Sequence, residues 1–468
     1  MSSDIDEDEI LRELSENVLR TTFSDLDRPV VSNTKQRLLD MVGCAIGGAG
    51  LEDVEQLMDV FRGRDSEPGA TVLGYGSKLS LPDAAMVNCI MGRSFDWGPL
   101  TLVVDGERIP SHITETSVLT ALAVGEYVQA SGEELLTAIV VGDDLASRMW
   151  MAGGTRWDPD ESSGPSTGFE QWGTVTSFAS TAIAAHLFDL SVSELENAFG
   201  VVINMISGAG HGLWDGATTF KLSQGTSARS GILAAQLAES GWVGIDRPLF
   251  GERGGYFTVF DNGCGYPELL YEELGETFYT EVCFKTNPGG RPTDAPIEAA
   301  VTLVQEYGFT PRDIESVIVR PSVMAGHYTK PYEIGEYPTG DALFSYKYAA
   351  ANALVRGRAI NEDYTEEGIR NPDVQRTIQR TTLEELDKEK GAEVEVTLAD
   401  GPTISEYVPV PPGDPSNPLT WEELEEKFRT QVEFSETISR EDSQKLIEQI
   451  KSVEQLRTVT SLPELAAQ

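Results

Sequence analysis

From residue 34 to about residue 249 the chain reads as helices in series, and this stretch limits the possible folds more than any other feature. Apolar positions recur at three- and four-residue spacing, broken by Gly, Pro and Asp. The clearest runs are "KQRLLDMVGCAIGGAG", "LPDAAMVNCIMGRSF", "TSVLTALAVGEYVQAS", "GEELLTAIVVGDDLASRMW", "GTVTSFASTAIAAHLFDLS", "SELENAFGVVINMISGAG" and "SARSGILAAQLAESG". Ala and Gly occupy several faces of these helices rather than one. Such helices must be covered on several sides, so a closely packed, buried bundle is expected. After Cys283 the period changes. "IESVIVRPS" and "AEVEVTLADG" alternate as strands do, the second closing on an Asp-Gly turn signal. Between them "GDALFSYKYAAANALVRG" and "TTLEELDKEKG" read as helices, so residues 284–410 are expected to form a smaller α+β domain. "EYVPVPPGDPSNPLT" is a Pro-rich boundary, after which amphipathic helices resume with Asn417-Pro418 and Thr420 as start signals. Residues 411–468 are expected to dock back on residues 1–283. A chain of 468 residues exceeds the size at which one core stops growing, which fits two domains.

Charge narrows the function. A formal net charge of −41 opposes nucleic-acid binding, which needs clustered Lys and Arg. Only 11 of the 35 basic residues are lysines. Together with the acid excess this suits concentrated salt, where screening shortens to about 3 Å at 1 M. A lysine in an apolar, Gly-rich setting is therefore more informative than usual. No apolar run reaches the roughly 18 residues of a membrane span. The first twenty residues are acidic where a secretory signal would be basic, so a soluble cytoplasmic protein is expected. Cys44, Cys89, Cys264 and Cys283 are far apart and form no C-x-x-C, which points to core thiols in a reducing compartment. No His/Cys spacing suggests a metal, and chemistry without metal or cofactor is expected.

Three stretches carry candidate chemistry. "SFDWGPLTLVVDGERIPSHITETS" places Asp96, Trp97, Asp105 and His112 in a segment without helical or strand period, in a chain with four histidines. His112 can exchange protons in both directions near neutrality, with Asp96 as its charged partner; otherwise it is a solvated loop residue. "TTFKLSQGTSARSG" sets Lys221 ahead of a small-residue helix start, where charge and backbone donors suit an anion, unless Lys221 simply snorkels. "CFKTNPGGRPTDAPIEAA" offers Lys285 and Arg291 in a Gly-rich junction that suits a carboxylate, or a plain linker with Arg291 paired to Asp294. His211, in "SGAGHGLWDGA", is a further candidate for the Lys221 site. His186 reads as a packing residue and His327 as a surface one. Of Tyr346 and Tyr348, one can present a phenol to a cleft or both can be core.

Taken together, these stretches resemble the MmgE/PrpD family, which includes 2-methylcitrate dehydratase and cis-aconitate decarboxylase. "KQRLLDMVGCAIGGAG" is similar to that family's opening helix, and "LTAIVVGDDLASRM" to its G-x-E-x-x-x-R helix. "FKLSQGTSARSGILAAQLAESGWVGI" is similar to its Lys-led Gly/Ala segment, and "DALFSYKYAAANALVRG" to its D-A-x-F-S-x-x-Y stretch. The resemblance, over residues 30 to 460, implies a mainly α fold. A large all-helical domain is built from both chain ends, a smaller α+β lid covers it, and the site lies between them. It also implies a homodimer and no metal. Asp96, His112, Lys221, Lys285 and Tyr348 match the family's catalytic positions. The family's second histidine falls in "GFEQWG", leaving Glu170 or Gln171 there, and Asp294 stands for another histidine. Fewer histidines and more carboxylates disfavour a tricarboxylate. The expected activity is that of a lyase acting beside a carboxylate held by Lys221, Lys285 and Arg291. Dehydration of a hydroxy di- or tricarboxylate such as 2-methylcitrate comes first, with decarboxylation of a cis-aconitate-like acid or isomerisation or epimerisation of a dicarboxylate as alternatives. A non-catalytic acid-binding or scaffold protein is the alternative of another class.

Overall fold

The computed structural model describes residues 7–104, 107–109, 112–153, 168–324 and 326–467. The Ala/Gly-rich runs are helices: Arg28–Gly48, Leu81–Gly92, Thr114–Val128, Gly132–Ala152, Gln171–Leu187, Val192–Val202 and Leu222–Glu239. Helix Leu222–Glu239 lies against Gln171–Leu187 and Leu81–Gly92. Small residues permit this. A Cβ on Gly225 would sit 2.7 Å from the Met86 carbonyl oxygen and from Ile90 Cγ1, and one on Gly231 would lie 2.6 Å from the Thr181 nitrogen. The starts are written locally. Ser131, Ser191 and Thr420 each cap a helix and are answered three residues on by Glu134, Glu194 and Glu423, the reciprocal box that satisfies two otherwise unpaired amides.

The second half adds a four-stranded sheet. Ile314–Pro321 pairs antiparallel with Ala392–Leu398, which pairs antiparallel with Thr403–Val408, while Thr381–Leu383 lies parallel on the other side of Ile314–Pro321. Buried Val317, Val319, Val394 and Val396 alternate along it, and helix Asp294–Tyr307 covers it. Two expectations need correction here. "TTLEELDKEKG" is not a helix: Thr381 to Leu383 form a strand, because β-branched residues beside an open sheet edge gain a ladder that no isolated segment offers. Strand Thr403–Val408 also runs into the start of the supposed Pro-rich boundary.

Near the C-terminus, helix Trp421–Ser435 packs on Arg28–Gly48, with Phe428 and Gln431 seated over Gly43 and Gly47. Helix Glu7–Arg20, not anticipated, lies on Val192–Val202. All four cysteines are free, three of them buried. Among the described residues no helix is long and apolar enough to cross a membrane.

Candidate active site

The segment that lacked a period is where helix, loop and sheet meet. Helix Leu81–Gly92 ends on Arg93, and the chain then turns through Asp96, whose φ of 47° is a left-handed conformation uncommon for a residue with a side chain. Leu100–Val104 is a strand after all, paired with Glu107–Ile109 and with Val282–Cys283, so the later chain is stitched to this loop. Asp105 lies outside the described residues. His112 follows, two residues before helix Thr114–Val128, whose first turn carries Glu115.

These side chains converge. His112 Nδ1 is 2.8 Å from Glu115 Oε1 and 3.9 Å from Asp96 Oδ1. Arg93 Nη1 lies among all three: it donates to Asp96 and, at 3.1 Å, to Glu115, and touches the imidazole nitrogen. Asp96, His112 and Glu115 are spaced as metal ligands could be, but the Arg93 guanidinium takes the central place a cation would need. Lys285 donates to the Asp96 carbonyl at 2.6 Å and to its carboxylate at 2.9 Å. Lys427, from the C-terminal helix, donates to the Trp97 carbonyl at 2.7 Å and pairs with Asp40 at 2.6 Å. Two lysines from distant parts of the chain thus fix the strained loop.

Burial sets the protonation. Desolvation and the Arg93 charge lower His112 to about 4, against the opposing pull of Glu115 and Asp96. Burial alone would raise Glu115, but His112 and Arg93 outweigh it and bring it to about 2. Burial likewise opposes the Arg93 charge, yet Asp96, Glu115 and Glu170 leave it more basic than usual. Near neutrality Glu115 is ionised and the imidazole neutral, its Nδ1 facing both the Glu115 carboxylate and Arg93 Nη1.

A cavity of about 350 Å³ opens beside this group. Arg93, Asp96 and His112 form one wall. Opposite stand Gly290, Arg291, Tyr328, Phe344 and Tyr346, with Val323 at the end of a strand. Tyr328 fits against Gly290, where any Cβ would overlap the phenol oxygen, and its hydroxyl has no hydrogen-bond partner among the described residues. Burial pushes its pKa far up, so it stays a phenol. The neighbouring Gly289 amide donates to the Phe95 carbonyl at 3.0 Å and joins the two walls.

The other candidates divide. Arg291 lines the cavity but is engaged by Asp294 at 2.7 Å and by the Pro411 and Pro412 carbonyls. Lys221 is one layer behind, paired with Asp53 at 2.5 Å and donating to Ser94 Oγ at 3.0 Å, and burial lowers its pKa. Buried Glu170 accepts from Ser223 within electrostatic reach of Arg93. Gln171 opens its helix, and its side chain lies outside the described residues. His211 is not brought to the cavity: its side chain is 78% exposed beside Asp215, because the single turn Gly212–Asp215 points Leu213 inward instead. Nor is Tyr348, which is buried between Tyr332 and Tyr364 and donates to the Asp363 carbonyl; Tyr346 is the one of the pair at the cavity. His186 bonds the Val18 carbonyl at 2.8 Å, a packing role. His327 is not a surface residue. It lines the cavity against Trp214, Tyr328 and Phe344.

The protein is mainly helical, and a buried carboxylate–imidazole–guanidinium group and the Tyr328 phenol meet at one cavity. Comparison gives the lineage. Residues 12–266 match the MmgE/PrpD N-terminal domain and residues 288–453 the MmgE/PrpD C-terminal domain, so the chain belongs to the MmgE/PrpD family. It is 28% identical to the cis-aconitate decarboxylase of Homo sapiens, over 93% of this chain and 90% of that protein. It is 26% identical to the cis-aconitate decarboxylase-like protein oryM of Aspergillus oryzae, over 97% of each chain. The Mus musculus cis-aconitate decarboxylase is also 26% identical, over 93% and 89%.

Proposed function

We propose that the protein is a lyase whose reaction builds up carbanion-like charge on the carbon next to a carboxylate. The observation that carries this reading is the buried His112, kept neutral by burial and held at Nδ1 by Glu115; with the Nδ1 proton given to Glu115, Nε2 serves as the base. Asp96 and Lys285 fix the loop, and Arg93 with Tyr328 supplies donors for the enolate-like charge that develops. In dehydration, the first reading, His112 takes the α-proton of a hydroxy acid while Tyr328 protonates the departing hydroxyl, and exchange with water then returns both side chains to their starting protonation. The products are the unsaturated acid and water. The second reading, decarboxylation of a cis-aconitate-like acid, is favoured by the names of the relatives. There carbon dioxide leaves first, and the resulting carbanion takes a proton from Tyr328. Residues 1–283 and 411–468 as one domain, residues 284–410 as its lid, and a homodimer complete the proposal.

The test is NMR of hydroxy and unsaturated di- and tricarboxylates incubated with the protein in deuterated buffer at high potassium chloride. Deuterium entering beside a carboxylate is expected, and the labelled carbon separates the two reactions. His112→Ala is expected to lower turnover by roughly 10²- to 10⁴-fold. No exchange in any compound, from folded protein, turns the reading to acid binding or a scaffold.

A further inference from the structure

We infer that the cleft is built for an acid with an apolar substituent and at most two carboxylates, not for a tricarboxylate. The inference rests on the proposed reaction only in placing one carboxylate near His112.

Charge balance is the first argument. Five cations around the site already have a carboxylate of the chain: Arg93 has Asp96 and Glu115, Lys285 has Asp96, Lys221 has Asp53, Arg291 has Asp294 and Lys427 has Asp40. Glu389 and Lys390, adjacent in the chain, also line the cavity and together add no net charge. A trianion entering this group would face Asp96 and Glu115 with no surplus positive charge to balance it. What is left over is one fork. Arg93 spends Nη1 on its carboxylates, while its buried Nε and Nη2 have no hydrogen-bond partner among the described residues. Those two N–H groups form the side edge of a guanidinium, which matches a single carboxylate.

The rest of the wall is the second argument. Apart from Ser322, His327, Tyr328, Tyr346 and the charged residues, the cavity is bounded by apolar side chains, among them Leu100, Leu213, Ala295, Val323, Phe344 and Pro411. None of these can hydrogen-bond a second or third carboxylate through its side chain. Each would instead gain from contact with an alkyl or aryl group that displaces water.

The test is calorimetric titration of the full chain at high potassium chloride with maleate, methylmaleate, butylmaleate, hexylmaleate and cis-aconitate. The 2-alkylmaleates keep the cis-butenedioate core of cis-aconitate and replace its carboxymethyl arm. Affinity is expected to rise roughly fourfold per methylene, equivalent to about 0.8 kcal/mol, with cis-aconitate binding more weakly than hexylmaleate. Leu213→Glu, and separately Val323→Glu, should abolish the chain-length dependence while maleate still binds. Arg93→Gln should weaken every ligand. Affinity that is flat with chain length, or highest for cis-aconitate, overturns the inference. Chain-length-dependent binding without deuterium exchange in any ligand supports this ligand class and removes the lyase reading. Tightest binding and turnover of a tricarboxylate does the reverse.

Discussion

Between pH 6.5 and about 4 the unfolded chain takes up a proton at His112 that the folded chain refuses, because burial and Arg93 hold the folded value down. The unfolded state then binds more protons, so stability falls as pH is lowered through this window. For this one group the loss is on the order of 3 kcal/mol. Urea midpoints between pH 7 and 4 should therefore decline less steeply in His112→Ala than in the parent. The same value fixes the acid limb of activity: turnover is expected to hold down to about pH 4 and to fall below it. Glu115→Gln removes the acceptor that selects the Nδ1 tautomer, and at least a tenfold loss of turnover is expected in an otherwise folded protein. At this scale the sequence was half legible. His112 and Asp96 stand out because nothing around them is periodic, and Lys285 because it adjoins two glycines. Arg93 and Glu115 did not, since each is embedded in an apolar helical run whose pattern explains it as a helix end or first turn. Tyr328 and His327 look like loop residues until the fold folds that loop over the cavity.

For the Ala/Gly-rich helices, spacing was enough, because a 3.6-residue period and a capping box are local facts. Thr420→Ala should cost about 1 kcal/mol by removing the cap on Trp421–Ser435. Gly231→Ala should cost roughly 1–3 kcal/mol, since the added methyl meets the backbone of the facing helix and not a movable side chain. Both are read as shifts of the urea midpoint. Short strands resisted the same reading. Thr381–Leu383 is a strand only because distant Ile314–Pro321 lies alongside, and Leu100–Val104 adds to its local partner Glu107–Ile109 the distant Val282–Cys283. Those distant pairings are tertiary facts that no short window contains.

Across the whole molecule, a net charge of −41 has to be tolerated by one folded chain. Self-repulsion on that scale weakens as salt shortens the screening length from about 10 Å at 0.1 M to about 3 Å at 1 M. The melting temperature is expected to rise between 0.1 and 2 M potassium chloride; a flat or falling curve would show that the surface charge is already locally compensated. The lysines that fix the Asp96 loop carry a different consequence, in the order of events at the ribosome. Lys285 reaches back 189 residues to Asp96, and Lys427 reaches back 330 to Trp97. The helices can form as they emerge, but the loop acquires its last anchor only when nine-tenths of the chain has been made. A protein truncated before Lys427 is thus left with most of its helices and without a fully anchored Asp96 loop, and in refolding helicity should return before ligand binding at the cavity does.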